Sequence, residues 1–296
     1  MIKRIIINLI AIIITIIVMI FGYYMIMDIE TKIPQKANES CDIETKEFMS
    51  RKIFIIKPKT EQLSKKVILY FHGGAYVAEA TTLHWDFLEK LANDTKSTIV
   101  MPDYPLTPKY TYKDVFNMVE PLYKEIISKV DVKNLVMMGD SAGGGITLAL
   151  AEKISQNNIQ LPSKTILISP WLDVTLTNEK IKEVQKNDKD LNKEKLLIAG
   201  ISYARDEEGM KSYLVKPING PLSKLKNVII YTGTYDILNA DVEVLKERAE
   251  KVGTKINVYE TEKATHIWLL YKYKDKENDP LVQEPYKQMI EVLKNN

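Results

Sequence analysis

A serine set among glycines is the first residue of this sequence that could do chemistry. The stretch GDSAGGG places Ser141 between Gly139 and Gly143, after an apolar run and before a helical pattern. G-x-S-x-G between a strand and a helix is typical of a nucleophile on a tight, strained turn, where larger side chains at the glycine positions would collide with their neighbours. The alternative is a glycine-rich turn that binds an anion, but this stretch carries neither G-x-G-x-x-G nor a P-loop lysine. The pattern therefore favours Ser141 as a nucleophile at the positive end of the following helix.

A serine hydroxyl is a weak nucleophile and needs a base, and histidine is scarce in this chain. Of the three histidines, His72 and His84 precede Ser141, and only His266 follows it, just after the last expected strand. Where a nucleophile sits on such a turn, the order along the chain is serine, acid, histidine. We therefore expect His266 to be the general base.

The acid that orients the imidazole is expected in a loop that follows a strand between Ser141 and His266. Asp236 comes directly after the expected strand NVIIYTG, whereas Asp241 lies five residues further on and Asp173 follows an earlier strand. Because backbone geometry has to hold this carboxylate in place, we expect Asp236 to be the acid. Asp241 is the next candidate, and its alternative role is to satisfy the dipole at the start of its helix.

The oxyanion of an acyl-transfer intermediate needs hydrogen-bond donors, and an upstream glycine loop could supply them. The stretch FHGGAY follows a strand pattern and offers the backbone N–H groups of Gly73 and Gly74. Ala142, directly after Ser141, is expected to give a third donor. The alternative is an ordinary turn. It is less favoured, because this H-G-G precedes G-x-S-x-G by one strand–helix–strand unit.

The elements that must position these residues alternate between strand and helix patterns. Strand patterns lie at 67–74, 97–104, 134–139, 164–171, 227–233 and 255–260, and helical patterns lie at 85–95, 113–130, 145–155, 239–252 and 281–294. Strands that alternate with helices predict an α/β fold with a mostly parallel sheet and helices on both faces. The segment 47–58 is expected to add an antiparallel edge.

The composition narrows the classes of protein. A chain of 296 residues can bury a large core as one α/β domain. A net charge of +2 is too small to indicate binding of nucleic acid. The single cysteine, Cys41, cannot form an internal disulfide. Nothing in these patterns indicates an oligomeric state.

The N-terminal stretch 5–27 carries no charged side chain, and Lys3 and Arg4 precede it. As a helix it would reach roughly 34 Å, against a hydrocarbon core of about 30 Å. No A-x-A-like cleavage site follows, so we expect a transmembrane helix that stays attached. The basic flank predicts a single-pass membrane protein with a cytoplasmic N-terminus and an extracytoplasmic catalytic domain.

Three segments are expected along the chain: a cytoplasmic tip and membrane anchor at 1–27, a linker at 28–46, and a catalytic domain at 47–296. Within the last, residues 173–220 contain no convincing strand and are charged and helical. An insertion of this length between two strands predicts a helical cap or lid.

Taken in order, the motifs HGGAY, PDYPLTP, GDSAGG, ISPWLD and YDIL, followed by the His266 segment, resemble the hormone-sensitive-lipase-like branch of the α/β-hydrolases. This branch contains carboxylesterases, acetyl esterases and lipases, and the resemblance covers roughly 50–296. It implies an eight-stranded sheet, the triad and oxyanion hole named above, a cap over the acyl pocket, and no metal or organic cofactor. Where family members often have a third glycine this chain has Ala75, which is expected to narrow the hole.

The predicted function is hydrolysis of carboxylic esters with short-to-medium acyl chains through an acyl-enzyme. The partners expected are a small or lipidic ester substrate and, through the N-terminal helix, the membrane, but no nucleic acid. Alternatives on the same triad are a deacetylase of envelope polysaccharide and a lipid-directed lipase. A peptidase on this fold would usually carry a large extra domain. An alternative of another class is a catalytically silent, membrane-tethered binding module.

Overall fold

A single sheet forms the centre of the protein, which is described here by a computed structural model covering residues 28–37, 39–273 and 279–295. The sheet has eight strands in the order β1-β2-β4-β3-β5-β6-β7-β8. The strands are β1 (Cys41–Phe48), β2 (Arg51–Pro58), β3 (Val67–Phe71), β4 (Thr98–Pro102), β5 (Leu135–Asp140), β6 (Lys164–Ile168), β7 (Val228–Gly233) and β8 (Ile256–Thr261). The strands from β4 to β8 in this order pair in parallel, whereas β2 is antiparallel to both β1 and β4. The expected eight-stranded, mostly parallel sheet is confirmed.

Helices cover both faces of the sheet, as its buried apolar strands require. In the described residues they are α1 (Thr82–Thr95), α2 (Tyr112–Ile127), α3 (Ser141–Gln156), α4 (Ile181–Val184), α5 (Lys193–Ala204), α6 (Glu207–Lys211), α7 (Ala240–Lys251) and α8 (Pro280–Lys294). Val115 of α2, Leu148 of α3 and Leu245 of α7 share one core. Leu88 of α1 and Met289 of α8 belong to the core on the opposite face. Every residue of the central strands β5 and β7 is buried, so the sheet is a rigid platform.

The antiparallel part of the sheet has one more strand than the sequence predicts. The strand expected within 47–58 is present as β2, but the edge itself is β1, which begins at Cys41 inside the segment expected to be a linker. A tight turn with positive φ at Met49 (50°) and Ser50 (61°) joins the two strands, as hairpins require. Most side chains of β1 are exposed, so this strand has no apolar alternation, and backbone pairing with β2 forms it.

Parallel strands bring their carboxyl ends to one edge of the sheet, and ligand sites form at that edge. His72 follows β3, Ser141 follows β5, Asp236 comes three residues after β7, and His266 comes five residues after β8. Residues far apart in sequence are therefore brought to the same edge.

The long connection between β6 and β7 is helical. It contains α4, α5 and α6 and a 3₁₀ turn at Pro217–Asn219. Helix α5 lies close to the loop after β6, because a Cβ added at Gly200 would come within 2.8 Å of Val174 Cβ and 3.5 Å of Trp171 Cζ2. We call residues 173–220 the insertion.

The prediction of a transmembrane helix, and with it the single-pass membrane localisation, requires correction. Among the residues described, no helix is both long enough and apolar enough to span a bilayer. The stretch 5–27, on which that prediction was made, lies outside the described residues.

Candidate active site

Ser141 lies on a strained turn between β5 and α3. Its φ is 52°, in the left-handed region, and α3 begins at the same residue. A Cβ at Gly139 would lie 2.5 Å from Gly143 O, and a Cβ at Gly143 would lie 2.0 Å from Phe71 O. No side chain fits at either glycine without displacing backbone, which is the physical reason for the G-x-S-x-G pattern.

The side chains of Ser141, His266 and Asp236 form one hydrogen-bonded chain. His266 Nε2 lies 2.9 Å from Ser141 Oγ. On its other side, His266 Nδ1 lies 2.8 Å from Asp236 Oδ2. All three residues are buried, with Ser141 5%, His266 6% and Asp236 0% exposed. The three residues singled out from the sequence are thus brought together within direct contact.

The carboxylates around His266 raise the pKa of its imidazole above the ordinary value. Burial lowers the pKa of the His266 imidazole, but the carboxylate of Asp236, hydrogen-bonded to it, outweighs burial and the net shift is upward. Asp140 and Asp188 raise it further. The neighbouring carboxylates therefore stabilise the imidazolium more than water does around a free histidine.

Asp236 is fixed by backbone contacts at the end of β7. Its second oxygen, Oδ1, accepts the N–H of Leu238 at 2.9 Å, which starts a 3₁₀ turn. The alternative acid, Asp241, lies in α7 and accepts from Asn178 Nδ2 at 3.0 Å. Burial raises the pKa of Asp241 to about 6. Asp173 accepts from Thr175 and pairs with Lys216 within the insertion, so neither alternative carboxylate bonds to His266.

The glycine loop after β3 offers donors that differ by one residue from those expected. The Gly73 N–H donates to Asp140 Oδ1 at 2.9 Å and is therefore already used inside the protein. In the part of the chain that the structure describes, the N–H groups of Gly74 and Ala75 have no acceptor. Ala142 is the second residue of α3, and its N–H has no intrahelical acceptor. The free donors beside Ser141 are those of Gly74, Ala75 and Ala142.

Asp140 ties the glycine loop to the serine turn, and sequence reasoning missed it. Besides Gly73 N–H, its carboxylate accepts from Tyr70 Oη at 2.6 Å and contacts His84 Nε2 at 3.3 Å. Burial would raise the pKa of Asp140, but His84 and Tyr70 outweigh that effect and lower it. The only sequence signal is its place next to Ser141, since Tyr70 and His84 come from distant elements.

His72 supports the same loop from within the core. Its carbonyl accepts from Tyr104 Oη at 2.7 Å, and its ring stacks on Tyr104 with centroids 4.5 Å apart. Burial lowers the pKa of His72 to about 4, so the ring is neutral at physiological pH. His72 therefore acts as a neutral part of the loop's framework.

Three stacked aromatic rings pack beside the serine turn, and we call Tyr76, Trp171 and Tyr203 the aromatic wall. The ring of Tyr76 stacks on Tyr203 of α5 with centroids 3.7 Å apart and on Trp171 at 5.3 Å. A Cβ at Gly145, one turn after Ser141, would come 2.7 Å from Tyr76 Oη. The backbone N–H of Trp171 donates to the backbone carbonyl of Ser141 at 2.9 Å. The wall is thus attached directly to the serine turn.

The groups that converge here are one hydroxyl, one imidazole, one carboxylate and several backbone N–H groups. Such a set can transfer an acyl group, with the imidazole moving the proton and the N–H groups binding the oxyanion. Within the ranges described, His, Cys, Asp and Glu side chains form no group of three or more that could hold a metal ion.

Residues 68–270 match the sequence profile described as the alpha/beta hydrolase fold. This chain belongs to the α/β-hydrolase fold family. The resemblance to its hormone-sensitive-lipase-like branch, inferred from the motifs, is confirmed.

Among curated proteins, this α/β-hydrolase is similar to an esterase of Acinetobacter venetianus, with 29% identity over 200 residues. The alignment covers 67% of this chain and 66% of that protein, so the chain spans about two thirds of the relative's length. Among solved structures, a putative esterase from Staphylococcus aureus matches with a TM-score of 0.82 at 26% identity, covering 90% of this chain and 88% of that one. An esterase of the bacterial hormone-sensitive lipase family matches with a TM-score of 0.78 at 21% identity, covering 88% and 86%, and supports the fold alone.

Proposed function

We propose that this protein hydrolyses carboxylic esters, with Ser141 as nucleophile, His266 as general base and Asp236 as the acid that orients it. That the protein is a carboxylic ester hydrolase follows from its family together with relatives named as esterases. The proposed roles of the three residues are supported by one observation, the continuous contact from Ser141 Oγ through His266 to Asp236, at 2.9 and 2.8 Å.

The reaction runs in two steps. As Ser141 Oγ attacks the acyl carbon, His266 Nε2 takes its proton, and the same proton then goes to the departing alcohol. Water attacks the acyl-enzyme with His266 again as base, which releases the carboxylic acid and restores the serine. Asp236 holds Nδ1–H and stabilises the imidazolium that forms in each step.

The oxyanion is proposed to bind the N–H groups of Gly74, Ala75 and Ala142. One such donor is worth roughly 3 kcal/mol to a transition state. The Gly73 N–H, expected from the sequence to be a donor, is instead assigned to Asp140, which holds the loop in place. Ala75 has φ 53°, in the left-handed region where glycine is easier, and we propose that its side chain narrows the oxyanion hole.

The aromatic wall supports a preference for short acyl chains. Its three rings are at most 1% exposed and pack against one another and against α3. We propose that the acyl chain points toward these rings, so that a chain longer than a few carbons displaces one of them, at a cost above the roughly 0.8 kcal/mol that each buried methylene contributes. The same argument supports an acetyl-removing enzyme as the second candidate, because an acetyl group needs the least space.

The test is a series of p-nitrophenyl esters from acetate through butyrate and octanoate to palmitate, assayed with wild type and Ser141→Ala. We expect kcat/KM to be highest for acetate or butyrate, and Ser141→Ala to lower kcat by at least about 10⁴. Turnover by Ser141→Ala at the wild-type rate would contradict the mechanism and favour the catalytically silent alternative. An acetylated oligosaccharide added to the series separates a deacetylase from a small-ester hydrolase.

A further inference from the structure

Asp188 is a buried carboxylate in the insertion that the proposed mechanism does not use. It lies between α4 and α5, is 7% exposed, and its neighbours Lys189 and Asp190 are exposed. Its Oδ1 accepts the N–H groups of Asp190 and Leu191, each at 2.9 Å. Its Oδ2 accepts a third N–H, that of Ile237, also at 2.9 Å. The first two contacts lie within the insertion, and the third crosses to the loop after β7.

Ile237 is the residue that follows Asp236. The 3₁₀ turn that starts there leaves its first N–H groups without partners inside the turn. Asp236 accepts one of them, from Leu238, with the oxygen that does not face His266. Asp188 accepts the other, from Ile237. Two carboxylates from separate parts of the chain therefore hold the peptide that carries the acid.

We infer that Asp188 is a positioning residue for the triad, which the insertion contributes: it fixes the Asp236–Ile237 peptide and adds its negative charge to the field at His266. This inference rests on the proposed function. It gives the insertion a part in the acid–base chemistry besides covering the acyl site.

The charges around the imidazole agree with this role. The carboxylates that raise the pKa of His266 come from three places: Asp236 after β7, Asp140 at the end of β5, and Asp188 in the insertion. Burial raises the pKa of Asp188, and so does the charge of Asp236, while the three backbone N–H groups oppose them. A carboxylate with three N–H donors is held in one orientation, so its charge acts at a fixed distance.

The experiment compares Asp188→Asn and Asp188→Ala with the matched control Asp190→Asn. The control removes the same charge two residues away from an exposed side chain. For each protein, kcat/KM for p-nitrophenyl acetate is measured against pH, and the pKa of His266 is followed by NMR titration of the imidazole, which needs no substrate. Thermal unfolding shows whether each variant folds.

With the negative charge gone, both Asp188 variants are expected to titrate His266 at lower pH, and the acid limb of kcat/KM moves to lower pH with it. The Ala variant, which loses all three contacts, is expected to lower kcat roughly tenfold through misplacement of Asp236. The Asn variant keeps a carbonyl acceptor and is expected to lose less. The control is expected to match wild type in all three measurements.

An unchanged His266 titration in both Asp188 variants overturns the inference whatever their rates, because a merely structural loss would slow the enzyme without moving that pKa. An equal shift in Asp190→Asn also overturns it, since any nearby charge would then suffice. If wild type hydrolyses no ester, the proposed function fails, and the NMR titration still decides the role of Asp188. If Asp188→Ala does not fold, the Asn variant decides by the same titration.

Discussion

The edge of the sheet that holds the proposed triad and the insertion beside it are built in different ways. At the sheet edge, buried parallel strands end in short turns, and the turn at Ser141 tolerates no side chain at Gly139 or Gly143. The insertion has short helices, and its α5 exposes Ile198 (70%) and Ile201 (51%) to solvent. It reaches the site through a few contacts, chiefly Tyr203 on Tyr76 and Asp188 on Ile237.

The difference separates two tasks. Groups that move protons must be held closely, which a rigid sheet edge achieves. Selection among substrates depends on the space next to the nucleophile, and a helical insertion can change that space without disturbing the sheet. We therefore expect changes at the sheet edge to be severe and changes in the insertion to be graded.

The largest effect is expected from Asp236→Asn. An amide cannot accept Nδ1–H without turning its oxygen, and the resulting tautomer points a proton at Ser141, so kcat should fall by about 10⁴. Asp241→Asn, five residues further on and in contact with Asn178 of the insertion, should change kcat less than about threefold at pH 8. Initial rates with p-nitrophenyl acetate measure both. Equal losses in the two variants would contradict the assignment of the acid.

Next comes a pair of glycines in helices, one in each region. Gly143→Ala would place a Cβ 2.0 Å from Phe71 O, which is backbone of β3, whereas Gly200→Ala would meet Val174 Cβ at 2.8 Å and Val174 O at 2.9 Å. Both variants gain the same helix propensity. We expect Gly143→Ala to lower the free energy of unfolding by at least about 3 kcal/mol and Gly200→Ala by about 1 kcal/mol. Urea unfolding compares them, and the reverse order would contradict the contrast in rigidity.

The third effect concerns pH and Asp241, which lies where α7 meets the insertion. Its pKa rises from 3.8 to about 6 because of burial. Between these pH values the folded protein binds a proton that the unfolded chain has released, so the free energy of unfolding falls as pH rises through this window. The decrease in the free energy of unfolding is complete above pH 6 and amounts to about 3 kcal/mol, at 1.36 kcal/mol per pKa unit.

Asp241→Asn cannot ionise and should lack this loss. Unfolding by urea at pH 4 and pH 7 is expected to show a smaller decrease in the variant than in wild type. An equal decrease in the free energy of unfolding of the two proteins would show that water reaches the Asp241 carboxylate in solution.

The smallest effect is expected inside the insertion itself. Tyr203→Ala removes the ring stacked on Tyr76 and frees space beside Tyr76, whose hydroxyl lies against α3 one turn after Ser141. We expect kcat/KM for octanoate relative to acetate to rise roughly tenfold. Ile198→Ala, on the exposed face of the same helix, should leave that ratio unchanged. A rise in both variants would indicate a general loosening of α5 rather than a wider acyl site.

The structural features that depend on a local sequence pattern were predicted well. The order of strands and helices follows from apolar periodicity, and the expected strand 134–139 differs from β5 by one residue at each end. Ser141 and His266 were singled out from the glycine turn and from the scarcity of histidine; the structure brings their side chains within 2.9 Å, and their catalytic roles stay a prediction. The edge strand β1 was missed because its side chains are mostly exposed, and the membrane helix was predicted from apolarity and length alone.

The sequence by itself determined the α/β order and the serine turn, because each depends on neighbours within a few residues. It also singled out the three side chains that would have to meet, through chain order and the scarcity of histidine. Only the tertiary structure decided that the Gly73 N–H serves Asp140 rather than a substrate. It also decided that Asp188 reaches the peptide after Asp236. Those contacts join residues 67 and 49 positions apart, and no local pattern encodes which buried carboxylate satisfies which N–H until the sheet has brought them together.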